Sequence, residues 1–182
     1  MADTIEGGTL RQFRCFQALS EDEARVARAA LRLRRLAPGK VLFRQGEPGR
    51  AAYLVRTGRM EVRVAVPELQ EDRLLTTVGP GAILGEMSLL RSEPRSAEAV
   101  ARTRVELWEI SQEAFRAALE GGAAWARAFL LASAEALAER LAAVDRQLVA
   151  LIAQLRQAGD APVSRVAELE QLRERLFSQW SF

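Results

Sequence analysis

Gly85, Glu86, Arg95 and Ser96 stand close together in the stretch from Gly79 to Val100, and their types suit the binding of a phosphate ester. A glycine lets the backbone approach a ligand closely. The helix start that follows offers unpaired N–H groups and the positive end of the helix dipole. Arg95 adds a planar, permanently charged fork, and Ser96 adds a hydroxyl donor. Glu86 would repel an anion, so its carboxylate is expected to face something else. A ribose hydroxyl fits, since acidic residues recognise such groups elsewhere. Gly85-Glu86-Met87-Ser88-Leu89-Leu90 reads as a tight glycine turn opening a short, apolar-faced helix, and Pro94-Arg95-Ser96-Ala97 leaves it for a strand. Met87, Ser88 and Ala97 are counted with this cradle because they lie on its segment, although Ser88 and Ser92 taken singly read as helix-surface residues. Two plainer readings compete: a surface arginine with a carboxylate neighbour, and a first-turn acid that interacts with the dipole. The order turn, acid, short helix, Pro-Arg-Ser-Ala favours the ligand reading for both residues.

The stretch GEMSLLRSEPRSA, residues 85–97, resembles the phosphate-binding cassette of the cyclic nucleotide-binding domain family. The likeness extends upstream through PGKVLFRQG, residues 38–46, and AYLVRTG, residues 52–58, and covers roughly residues 10–155. The resemblance implies that Glu86 binds a ribose hydroxyl and that Arg95 and Ser96 bind the cyclic phosphate of cAMP or cGMP. It also implies that Leu75 and Thr76 line the purine side, where a core leucine and a sheet threonine remain equal alternatives. Ser96, where cyclic GMP-preferring relatives commonly have threonine, tilts the reading towards cAMP. There are departures. Glu98 stands where relatives often carry Thr, Ser or Trp, although strand alternation turns it away from Ala97. The long-helix region that reads the purine in many relatives is here Ala138-Glu139-Arg140-Leu141, where Arg140 or Glu139 is the candidate contact and an interhelical ion pair is the alternative for Arg140.

Composition bounds the rest. At 182 residues the chain allows one domain and an appendage. Hydrophobic residues make up 49% and charged residues 27%, which is ordinary for a globular protein. A net charge of +2 implies no nucleic-acid partner by itself, and Lys40 is the one lysine beside many arginines. The single Cys15 excludes a disulfide framework, and the lack of histidine excludes histidine-ligated metals and histidine acid–base catalysis. No catalytic residue or metal ligand set stands out, so no enzyme is expected. With neither a signal peptide nor a membrane-length apolar run, a cytoplasmic protein is expected.

The elements that must position the cradle follow in order. Residues 1–8 are expected to fray. Leu10, Phe13 and Phe16 fall on one side of a short helical piece, with Cys15 packed beside them. Ser20 and Glu23 form a capping box for a helix that is expected to present Val26, Ala30 and Leu31 to an apolar neighbour. Turn signals at Pro38-Gly39, Pro48-Gly49, Thr57-Gly58 and Gly79-Pro80-Gly81 then separate short strands. These are expected at 41–44, 53–56, 60–66, 74–78, 97–100 and 105–110, with a charged hairpin tip at 67–73. The fold class is therefore α+β: a small antiparallel β-barrel or jelly roll flanked by helices.

After a short helix capped by Ser111 and stopped by Gly121-Gly122, a long helix is expected over residues 123–157, about 50 Å at 1.5 Å per residue. Ala134, Leu141, Leu148 and Leu155 fall at one heptad position and Leu137, Val144 and Leu151 at another. A small barrel cannot cover that stripe, so a parallel homodimer through residues 123–157 is expected, with Arg140 meeting Asp145 of a second copy. A Gly/Pro break then precedes a last helix from Ser164 to Trp180, expected to fold back. The three parts are thus a cyclic nucleotide-binding domain at 1–122, the dimerisation helix at 123–157 and the C-terminal helix at 158–182.

Together these readings suggest a stand-alone cyclic nucleotide sensor acting on a downstream protein partner. The alternative is a scaffold whose pocket no longer binds and whose helices are the functional surface. A transcription regulator is a third class, suggested by family alone. The roughly 25 residues after the long helix carry no basic stripe and are too few for a winged helix-turn-helix, so direct DNA binding is not expected.

Overall fold

The computed structural model describes residues 10–66, 71–91 and 93–158, together with residue 171. The start at 1–8, which was expected to fray, the tip residues 67–70, Ser92 and the expected Ser164–Trp180 helix, apart from residue 171, lie outside the described residues. The chain divides into two compact units, Met1–Ser133 and Ala134–Phe182.

In the first unit a 3-10 turn, Arg14–Phe16, follows the buried Leu10 and Phe13. Helix α1, Glu21–Ala30, begins at the expected capping box: Ser20 accepts from the Glu23 amide at 3.3 Å, and the Glu23 carboxylate accepts from the Ser20 amide at 2.8 Å. Its buried face is Ala24, Ala27 and then Leu31, whereas Val26 is 57% exposed. Of the expected face, Leu31 is buried and Ala30 packs against the core, whereas Val26 does not. Small alanines bring this helix close to its neighbour, and the i, i+3, i+7 spacing leaves Val26 on the far side. Ser20→Ala should cost about 1 kcal/mol, read as a lower melting temperature with nucleotide binding unchanged.

Among the described residues eight strands follow: β1 (Arg32–Leu36), β2 (Val41–Phe43), β3 (Ala51–Thr57), β4 (Met60–Val66), β5 (Glu71–Val78), β6 (Ile83–Leu84), β7 (Glu98–Ala101) and β8 (Val105–Ser111). Helix α2 (Glu86–Arg91) sits between β6 and β7, and α3 (Gln112–Glu120) and α4 (Ala124–Ala158) close the series. The strands form two four-stranded sheets, ordered β1-β8-β3-β6 and β2-β7-β4-β5, with every pairing antiparallel. This is a jelly-roll-like sandwich rather than a closed barrel.

Two cores lie on opposite faces of the first sheet. Between the sheets are Phe43, Tyr53, Val55, Met60, Leu84, Ala99, Val105 and Leu107. Outside it, Leu54, Trp108 and Ile110 pack with Phe13, Phe16, Phe115, Trp125 and Phe129. Strand β3 serves both, and its first five residues are buried without alternation. Strand β1 was not expected, because three of its five residues are arginine. It is an edge strand, and charge on an edge discourages pairing with another chain. Two of its arginines find carboxylates on β8, Arg34 with Glu109 at 3.1 Å and Arg35 with Glu106 at 3.0 Å. Burial pushes the Cys15 thiol up to about 12, so it stays protonated and serves packing. In the second unit, Val144 is 56% and Leu151 45% exposed along α4.

Candidate functional site

The site grows out of three turns. At the first, Gly46 takes φ +81° and its amide donates to the Arg95 carbonyl at 2.8 Å, while the Arg95 amide donates to the Glu47 carbonyl at 2.8 Å. This pair pins the strand-side end of the cradle to the loop between β2 and β3. The second is Gly49 in that same loop, where a Cβ would collide with the Ser88 side chain and sit 3.2 Å from Arg95 Nε. The third is Gly85, at φ +76°, where a Cβ would collide with Arg95 Nη1. Glycine is required there twice, by conformation and by space.

Into this hollow the Arg95 side chain folds, leaving the residue 5% exposed. Nη1 donates to the Gly85 carbonyl at 3.3 Å and Nη2 to the Ala51 carbonyl at 2.8 Å. Nε is buried and has no hydrogen-bond partner. The guanidinium carbon lies 4.2 Å from the ring centre of Phe43 and 5.7 Å from that of Tyr53. Burial pulls the Arg95 pKa below its ordinary value, and the charges of Tyr53, Glu47 and Glu86 oppose that pull. The group remains a cation at neutral pH. Burial pushes the Tyr53 phenol up, Glu109 adds to the rise, and Arg95 and Arg34 act against it.

The expected site residues divide into those gathered here and those elsewhere. Gly85, Arg95 and Ser88 meet around the hollow. Glu86, 3% exposed, acts on Arg95 through its charge. Ser96 is exposed and Ala97 is buried, so the serine hydroxyl stands at the surface beside the arginine. Met87 is 39% exposed on α2. Leu75 and Thr76 are exposed on β5, an edge strand, with Leu75 in the register shift opposite Val62 and Arg63. Arg140 is exposed on α4 in the second unit. Ser88 is corrected from a helix-surface residue: it is 3% exposed because it packs against the bare Gly49. Glu98 alternates with the buried Ala97, Ala99 and Ala101, as strand geometry required.

Four contributors went unread in the sequence. Phe43 and Tyr53 look like any core aromatic on a strand, Gly49 looks like a turn residue, and the Ala51 carbonyl leaves no side-chain signal. Gln112 is a further link. Its side chain donates to the Leu89 carbonyl at 3.1 Å, and its amide donates to the Arg50 carbonyl at 2.8 Å, tying α2 and the Gly49 loop to the start of α3. Among the described residues no cluster of His, Cys, Asp or Glu could hold a metal ion. No helix among them is long and apolar enough to cross a membrane.

What the arrangement offers is a buried cation with one unpaired donor, packed into the space that two glycines leave, and a carboxylate next to it. An anion suits the first of these features, and a hydroxyl-bearing group suits the last.

A family model for the cyclic nucleotide-binding domain matches residues 33–121. The chain is 39% identical over 103 residues to the cyclic AMP receptor protein of Thermus thermophilus, covering 56% of this chain and 47% of that protein. It superposes on the catabolite activator protein structure from Thermus thermophilus with a TM-score of 0.65 at 31% identity, covering 79% of this chain and 71% of that one. The N-terminal domain of a transcriptional regulator from Streptomyces coelicolor gives a TM-score of 0.63 at 31% identity, over 75% of this chain and 94% of that domain. The chain spans about half or less of the length of the curated relatives it matches.

Proposed function

This chain belongs to the cyclic nucleotide-binding domain family, and from that premise we propose that it is a regulatory sensor of a cyclic purine nucleotide. The observation that carries the proposal is Arg95: a buried guanidinium held by two neutral carbonyls, with Nε left without a partner. A cyclic phosphate bears one negative charge and acceptor oxygens, which is what such a cation lacks. Arg95 and the exposed Ser96 hydroxyl take the phosphate, Glu86 takes the ribose hydroxyl, and Leu75 and Thr76 give the purine an apolar and a polar contact. Ser96 rather than threonine favours cAMP over cGMP. The similar proteins whose names specify cyclic AMP support that order.

The nucleotide-binding domain is assigned to residues 1–122, with 123–157 as the dimerisation helix and 158–182 as an appended helix. Homodimerisation is supported by the thirty-five-residue length of α4 and by Val144 and Leu151 standing exposed along it. Fully burying one such side chain is worth about 1.5–3 kcal/mol. Because Leu151 is already exposed in the single chain, Leu151→Glu should leave the fold intact and shift the particle from dimer to monomer. Light scattering reads the mass directly. A dimer in the variant would place the interface elsewhere, and a monomer in the unmodified protein would remove it.

Thermal unfolding with added nucleotide tests the sensor itself. A ligand at a hundred times its dissociation constant adds about 2.7 kcal/mol to the folded state, a rise of roughly 5–10 °C for a chain of this size. The expected result is a rise that grows with cAMP concentration and is smaller with cGMP at equal concentration. A melting temperature that ignores millimolar concentrations of either nucleotide would favour the scaffold reading.

A further inference from the structure

Phe43 and Tyr53 come from different sheets, β2 and β3, yet their rings stack with centroids 6.0 Å apart and planes 28° from parallel. The Arg95 guanidinium lies over this pair, 4.2 Å from the first ring centre and 5.7 Å from the second. We infer that Phe43, supported by Tyr53, positions the Arg95 guanidinium for the cyclic phosphate, so that nucleotide affinity depends on an aromatic pair acting through the arginine. The inference rests on the assignment of Arg95 to the phosphate.

The physical reason lies in which part of the cation each partner uses. An aromatic face attracts a cation through its quadrupole, and the attraction strengthens where water is excluded. Phe43 does so without accepting a conventional hydrogen bond from the fork, whereas Tyr53 also shares a side-chain hydrogen bond with Arg95. A carboxylate in that place would hold the arginine by the same donors a phosphate needs. Here two N–H groups are directed by the carbonyls of Gly85 and Ala51, the rings fix the guanidinium from its face, and Nε remains without a partner. Without the ring the fork would regain rotamer freedom, and that entropy would have to be lost again on binding. Tyr53 is placed to pass this constraint on. It pairs in register with Glu109, whose carboxylate meets Arg34 at 3.1 Å on the neighbouring strand. Phe43 and Tyr53 are positioning residues.

The test combines affinity with a direct view of the arginine. Phe43→Leu should weaken cAMP binding about tenfold in calorimetry, while Phe43→Tyr, which keeps the ring, should bind like the unmodified protein. In an Arg95→Ala background Phe43→Leu should cause no further loss, since the ring acts only through the arginine. Should Phe43→Leu not fold, judged by its unfolding transition, Phe43→Met replaces it with a side chain of nearer volume and the same expectation. In the ligand-free protein the Arg95 Nε–H resonance should be displaced by the ring current and exchange slowly, and both properties should vanish in the leucine or methionine variant. Equal cAMP affinity in a folded Phe43→Leu or Phe43→Met variant overturns the inference, as does an Arg95 resonance that does not move. If the unmodified protein binds no cyclic nucleotide, the functional assignment fails, and the resonance alone then decides whether the rings fix the cation.

Discussion

Arg95→Ala is expected to weaken cAMP binding by roughly ten- to a hundredfold, the worth of a charge-assisted hydrogen-bonded contact of about 1.5–3 kcal/mol. The size follows from burial. At the surface the same contact would be diluted by water and salt, but Arg95 is 5% exposed and sits between two sheets. The fold should survive the change. Alanine leaves the Gly85 and Ala51 carbonyls without their donors, at a cost of about 1–3 kcal/mol, while it also removes a buried charge whose Nε has no partner. Arg95→Lys separates charge from geometry. Lysine keeps the cation and loses the planar fork, so an intermediate affinity is expected. Alanine and arginine forms with equal affinity for cAMP would place the phosphate elsewhere.

Trp108→Ala should destabilise the protein by about 3–5 kcal/mol, visible as a lower denaturant midpoint, because it opens a large cavity in a fully buried position. That is a large part of the roughly 5–15 kcal/mol that holds a typical domain together. Trp108 stands on β8 against the helices, and Arg28 of α1 lies over its ring with the guanidinium carbon 4.0 Å from the centre. The substitution therefore removes packing on the outer core and a cation–π contact at once. Its indole N–H is buried without a hydrogen-bond partner, so Trp108→Phe gives up no hydrogen bond and should lose only a fraction as much. Similar losses for Phe and Ala would mean that the N–H, rather than the ring volume, secures this position.

How far the sequence revealed these features depends on what each residue's neighbours are. The part of the candidate site that lies in one segment could be singled out because its residues are near in sequence. Gly85, Glu86 and the Pro94-Arg95-Ser96-Ala97 exit fall within one short stretch, and the structure brings Gly85, Ser88 and Arg95 together with Glu86 close by. The capping box of α1 was legible for the same reason, since Ser20 and Glu23 are three residues apart. Burial that depends on distant chain was harder to read. Ser88 is covered because Gly49 lacks a Cβ, a fact stored nearly forty residues away. Strand β1 was hidden by Arg32, Arg34 and Arg35, two of which reach Glu109 and Glu106 on β8 for their partners. On α1, Ala30 and Leu31 face the core as expected, but Val26 is exposed, and the buried Ala24 and Ala27 carry little hydrophobic signal. Phe43 and Tyr53 read as core, which they are. That they also hold a cation depends on where Arg95 folds, and no local pattern records it.

The central claim is that Arg95 and its hollow receive a cyclic nucleotide. Isothermal titration of cAMP into the unmodified protein tests it most directly. A saturable heat is predicted, with one nucleotide bound per chain, a weaker curve for cGMP and modest weakening by added salt. A flat titration with both nucleotides, in a protein that still unfolds cooperatively, would contradict it.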